Sequence, residues 1–172
     1  MTTQQIILWT CAYAVALVAA VYFTRATSRR VIGALTGGVV VGLFVLAAIA
    51  GCEGLGWWRV PMAPTPYLRA LFYLGLVVSS APIYLVTWRT ARRFGSRGLA
   101  VFIAIVAVIG PPRASLYAAM FPKWMSFSPG IAPVLADSAC YIGIVAIGHA
   151  VMRLVAGPAR QDRLARSPRP TV

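Results

Sequence analysis

Residues 31–51 read VIGALTGGVVVGLFVLAAIAG, a run without one charged side chain. A helix rises about 1.5 Å per residue, so about 20 residues cross the hydrocarbon core of a bilayer. Arg29 and Arg30 stand before the run and Glu53 stands just after it. This is the pattern of a spanning helix with a basic end.

Four more stretches of spanning length flank it: Ile6–Phe23, Tyr67–Trp88, Leu99–Phe121 and Ile131–Met152. Composition agrees. Of 172 residues, 60% are hydrophobic and 11% are charged, against about 25% charged in a soluble domain. The expected fold is all-α, a polytopic transmembrane bundle of five spans. Residues 1–155 form the membrane domain, and 156–172 form a basic Pro/Arg-rich cytoplasmic tail.

Arginine placement sets the orientation. Arg25, Arg29 and Arg30 follow the first span, and Arg89, Arg92, Arg93 and Arg97 follow the third. The tail region holds Arg153, Arg160, Arg163, Arg166 and Arg169. The other connections hold few basic residues. The rich side is cytoplasmic, so the amino terminus is expected outside and the carboxyl terminus inside. The residues before the first apolar core carry no charged side chain, which favours a retained helix over a signal peptide. Fifteen arginines against the single Lys123, with abundant Ala, Gly and Val, suggest a GC-rich bacterial genome and hence a bacterial inner membrane.

The formal charge of +13 would suggest nucleic acid in a soluble protein. Here the basic residues fall between apolar runs and serve topology, so nucleic acid is not an expected partner. Membrane lipids are.

Two local features modify the spans. Pro111 and Pro112 interrupt the fourth, which is read as kinked there and continuing to Phe121. Gly33, Gly37, Gly38 and Gly42 give the second span overlapping small-xxx-small spacings. That face should pack closely on another helix, within the chain or in a homodimer. Other membrane subunits are a further class of partner.

Ionisable groups inside lipid are costly and face protein or water. Counting along the helices puts Arg113 and Asp137 both about 9 Å below the outer edge. They are the expected intramembrane polar pair, either a clasp between the last two spans or part of an outward-facing pocket. Glu53, Arg59 and Arg69 are expected near the same level, as an outer-face site for an anion or a lipid headgroup. His149 is expected to be an interhelical hydrogen-bonder.

Reactive signatures are absent. There is one histidine, no C-x-x-C among Cys11, Cys52 and Cys140, and no glycine-rich phosphate loop. No metal or other cofactor is expected. Ala136-Asp137-Ser138-Ala139 resembles the A-D-S-A segment of lipoprotein signal peptidase. That resemblance implies a catalytic aspartate at Asp137, near the outer face at the start of the last helix. The family's second aspartate should precede the last span. Between Gly110 and Gly130 this chain has Arg113 and Lys123 but no acid. The expectation is therefore a non-enzymatic membrane component, interacting with lipid or serving as a subunit of a complex. The alternative is a small transporter or membrane enzyme with a pocket around Arg113 and Asp137.

Overall fold

The computed structural model describes residues 3–61 and 66–157. Most of the expected tail, 158–172, lies outside the described residues. The chain forms α1 (Thr3–Thr24), α2 (Ser28–Gly54), β1 (Trp58–Arg59), α3 (Pro66–Met120), β2 (Ser126–Phe127) and α4 (Ile131–Ala156). All four helices are long and apolar enough to cross a membrane. Each also leaves large apolar side chains exposed, among them Val15, Leu43, Val108 and Leu154. Water would not favour such a surface.

The third and fourth expected spans are not separated by a loop. Both belong to α3, 55 residues long, and helix continues through Arg89, Arg92 and Arg93. The break is one residue, Gly95, at φ 68° and ψ −157°. Only glycine occupies that region readily, because any Cβ clashes there. The turn is tight, since a Cβ added to Gly98 would collide with the Cβ of Phe94.

The two arms of α3 run in opposite directions along α1. In the first arm Gly75 faces Thr10, and Arg89 donates to the Phe23 carbonyl. In the second arm Arg113 meets Tyr13, and Tyr117 meets Trp9.

Pro111 and Pro112 lie inside continuous helix, which runs on to Met120, so the fourth expected span continues past them, and Gly95 is the non-helical residue in α3. Proline removes the donors that would reach the carbonyls of Ala107 and Val108, but its fixed φ is itself helical.

The glycine face of α2 packs within the chain. A Cβ on Gly37 would lie 2.7 Å from the Gly148 carbonyl oxygen, and one on Gly38 would lie 2.6 Å from that of Val77. Gly33 meets Met152 and Gly42 meets the Tyr73 ring. With α4 on one side and α3 on the other, this face has no room for a second copy. Of the two alternatives for these four glycines, a contact within the chain or one in a homodimer, the structure contains the first.

The core lies between α2, α3 and α4, where Ala34, Val41, Ala81, Tyr84, Leu85, Trp88 and Met152 are buried. A smaller cluster of Ile49, Cys52, Trp58 and Val60 sits at the opposite end from the arginines. It is capped by a short antiparallel ribbon that the all-helical expectation lacks, pairing Trp58 with Phe127 and Arg59 with Ser126. The ribbon ties the described start of the connection after α2 to the connection before α4.

Candidate functional site

Three pairs of residues four apart build the site. On a helix, i and i+4 share a face. Asp137 and Tyr141 lie on α4, Arg113 and Tyr117 on the second arm of α3, and Trp9 and Tyr13 on α1. The three faces converge.

Arg113 and Asp137 line one cavity of about 300 Å³. Its walls are mainly apolar, with Phe72, Leu76, Trp124 and Ile144 among them. The structure thus brings together the two residues that depth counting placed level. It does not join them as an ion pair. Arg113 directs Nη1 toward the Tyr141 hydroxyl at 3.5 Å and Nη2 toward the Tyr13 hydroxyl at 3.4 Å. Its guanidinium also lies 5.1 Å from the centre of the Tyr117 ring. Both hydrogen bonds are long, near the limit at which such contacts hold.

Asp137 is 6% exposed, and its Oδ2 is buried with no hydrogen-bond partner. A buried, unsatisfied carboxylate oxygen is expensive. Here it lies on the wall of a cavity that also presents a guanidinium. The expected clasp between the last two helices is therefore not formed. The tyrosines take its place on the arginine side, and nothing among the described residues takes it on the Oδ2 side.

The polar site opens into apolar space. A second cavity, of about 520 Å³, shares Arg113, Tyr141, Leu76 and Ile144 with the first and runs past Tyr13 to Ile83 and Ile105. A third, of about 220 Å³, shares Phe72, Leu76, Tyr117 and Trp124 and lies against α1. Together they form a branched cleft lined by all four helices, with α2, α3 and α4 around Arg113 and Asp137 and α1 along the other branches.

The other expected site residues sit elsewhere. Glu53 Oε1 accepts the Val60 N–H at 2.7 Å, closing the chain between α2 and β1. Glu53 and Arg59 line a different concavity, under the ribbon with Ser126 and Ser128. Arg69 lies in the first turn of α3 and lines neither. The five charged residues expected near one level are thus divided: Arg113 and Asp137 share one cavity, Glu53 and Arg59 share another, and Arg69 lines neither.

The division also bears on aspartate catalysis. Such a mechanism needs two carboxylates, one as base and one to polarise the peptide. Among the described residues, Asp137 is the one acid lining its cavity. Glu53 is turned to Val60. The signal-peptidase resemblance at Ala136–Ala139 therefore does not extend to an assembled pair. No group of three or more His, Cys, Asp or Glu side chains that could hold a metal occurs among the described residues.

Sequence reasoning missed Tyr13, Tyr117 and Tyr141 as partners of the arginine. Tyr117 and Tyr141 were legible in principle, each four residues after a charged intramembrane residue. Tyr13 was not, because only the packing of α1 against the second arm of α3 delivers it.

No protein-family model, no curated protein and no solved structure matches this chain.

Proposed function

We propose that this protein is a multi-pass membrane protein that holds one amphiphilic molecule in the cleft lined by its four helices. In this reading α3 crosses the bilayer twice, once with each arm, giving five crossings. The amino terminus is outside and the carboxyl terminus is in the cytoplasm of a bacterial cell. The ends of the helices support it, since the arginine-rich ends of α1, α2, α4 and both arms of α3 gather at one end of the bundle, opposite the ribbon.

The observation that carries the ligand reading is the buried Asp137 Oδ2, unpartnered beside Arg113 on the wall of an apolar cavity. A bound headgroup would complete both. It must offer a donor to Asp137, such as a hydroxyl or amine, and an acceptor to Arg113, such as a phosphate, carboxylate or carbonyl oxygen. The apolar branches suit the chain of such a molecule. One buried head between two fixed charges gives orientation, while the apolar walls give affinity. The function is then lipid binding without chemistry on the lipid, as a carrier, scaffold or subunit.

The test is gentle purification followed by native mass spectrometry. Wild-type protein should carry an amphiphile, and Asp137→Asn and Arg113→Gln should each lose it while keeping wild-type helix content. Equal retention by wild type and both variants would overturn the reading.

A further inference from the structure

The cleft presents a guanidinium and a carboxylate, and the guanidinium is held by tyrosines. Arg113 turns Nη1 to the Tyr141 hydroxyl at 3.5 Å and Nη2 to the Tyr13 hydroxyl at 3.4 Å. Asp137 stands one turn before Tyr141 on α4, about 6 Å of helix rise away. Its Oδ2 is buried, without a hydrogen-bond partner, and Asp137 lines the cavity that Arg113 also lines. We propose that the occupant is a phospholipid whose headgroup carries a primary ammonium and a phosphodiester, as in phosphatidylethanolamine, with the ammonium on Asp137 and the phosphate on Arg113. This rests on the cleft being the site of an amphiphile.

The carboxylate selects the amine. An ammonium brings Oδ2 both a hydrogen bond and the opposite charge, and that attraction is stronger in a buried site than in water. A hydroxyl, as in a glycerol or inositol headgroup, brings the hydrogen bond without the charge. A trimethylammonium brings the charge without an N–H, so Oδ2 stays without a donor. A primary ammonium has three N–H donors. Phe72, Tyr117 and Trp124 line the same cavity, and aromatic ring faces favour a cation beside them.

The guanidinium selects the phosphate. Its bonds to the tyrosine hydroxyls are long, and a phosphate oxygen is a stronger acceptor that matches the guanidinium fork. A phosphodiester beside Arg113 also sets a second negative charge near Asp137. The ammonium, joined to the phosphate by a short ethyl link, lies between the two and is attracted to both. An inorganic anion would meet the guanidinium alone, and a simple amine would meet the carboxylate alone.

The acyl chains have a way out. The branch of the cleft that shares Arg113 and Tyr141 runs to Ile105 and Ile109, both exposed side chains of α3. A chain laid along it reaches the outer surface of the bundle and rejoins the bilayer, while the headgroup stays buried beside Asp137. A soluble headgroup would leave this branch empty.

The experiment uses the full chain in nanodiscs of equal parts phosphatidylethanolamine, phosphatidylglycerol and phosphatidylcholine with matched acyl chains, and native mass spectrometry reads the lipid retained. Wild type should retain phosphatidylethanolamine over phosphatidylglycerol by about fivefold or more, the gain of a charged donor over a neutral one, and over phosphatidylcholine by at least as much. Asp137→Asn should abolish that preference, and Arg113→Gln should release phosphatidylethanolamine and phosphatidylglycerol alike. Glu53→Gln removes an acid that lines a different concavity and should leave the preference unchanged; equal loss in the Glu53 and Asp137 variants would overturn the site. A second measurement needs no variant. In wild type, retention should fall along the N-methyl series from ethanolamine to choline, most sharply where the last N–H is lost. Phosphatidylglycerol retained as well as phosphatidylethanolamine, with both still lost in Asp137→Asn, would overturn the headgroup and leave the binding cleft standing. Phosphatidylcholine retained as well as phosphatidylethanolamine would assign the cation to the rings and overturn the ammonium donor. Wild type retaining no more lipid than Asp137→Asn would overturn the cleft as a binding site, and the headgroup with it. Displacement of the lipid by glycerophosphoethanolamine at equal concentration would assign the cleft to the soluble headgroup and overturn the lipid.

Discussion

Thr87 Oγ1 lies 3.0 Å from His149 Nδ1, joining α3 to α4 inside the core. Thr87 Oγ1 also lies 3.0 Å from the Tyr84 carbonyl. Its one hydroxyl proton serves either that carbonyl or the imidazole, and the histidine tautomer decides which. His149 Nε2 is buried without a hydrogen-bond partner among the described residues. Arg153 follows one turn later on the same helix, and Tyr84 donates to the Ile144 carbonyl nearby. The histidine is an interhelical strut, as sequence reading expected of a lone intramembrane imidazole.

Replacing Thr87 with Val keeps the shape and removes the hydroxyl. The unfolding midpoint in detergent should fall, with a loss of about 0.5–2 kcal/mol. Thr87→Ser should retain most of the stability. Equal stability of the Val variant and wild type would show that the bond contributes nothing.

The contacts of α4 with α2 and α3 depend on absent side chains. A Cβ on Gly148 would collide with the Tyr84 ring, and one on Gly37 would strike the Gly148 carbonyl. Gly148→Ala and Gly37→Ala should each destabilise by about 1–3 kcal/mol through overpacking. Gly51→Ala has nothing within 4 Å. It should be neutral or stabilising by up to about 1 kcal/mol, from helix propensity alone. Thermal melts of the three variants separate close packing from propensity.

Reversal of the chain in α3 should be sensitive at Gly95 and tolerant at the prolines. Gly95→Ala forces a Cβ into a conformation that strains it by about 1–3 kcal/mol. Pro111→Ala and Pro112→Ala restore backbone donors to a segment that is already helical, and should melt no lower than wild type. The reverse order of melting temperatures would put the hinge at the prolines.

Glu53 acts as a latch on the ribbon. Glu53→Ala removes the acceptor from the Val60 N–H and should speed amide exchange at Val60 by about tenfold, the equivalent of a hydrogen bond worth about 1.4 kcal/mol. Glu53→Gln keeps a carbonyl oxygen and should exchange nearly as slowly as wild type. Unchanged exchange in the Ala variant would mean that the ribbon closes without the latch.

Five crossings require the two ends of the first arm of α3 to lie on opposite sides of the membrane. Compartment-specific reporters inserted near Trp58 and near Arg93 should therefore signal from different sides. Signals from one side would leave α3 outside the bilayer for part of its length.

The amino-acid sequence by itself determined that the chain is helical and where its apolar stretches lie. Long uncharged runs have one economical way to satisfy their backbone in lipid. It also placed Arg113 and Asp137 level, because axial rise is a local property and can be counted. It could not show that they miss each other. Lateral distance depends on how helices rotate and which side chains intervene, and Tyr13, remote in sequence, decides where the guanidinium points. The break at Gly95 escaped for a related reason. Pro-Pro is a strong local signal and a glycine among arginines is a weak one, but helical φ suits proline, whereas the reversal needed a residue without a Cβ. The glycines of α2 were legible as a close contact, and only the tertiary structure gave the contact its partners, α3 and α4 of the same chain.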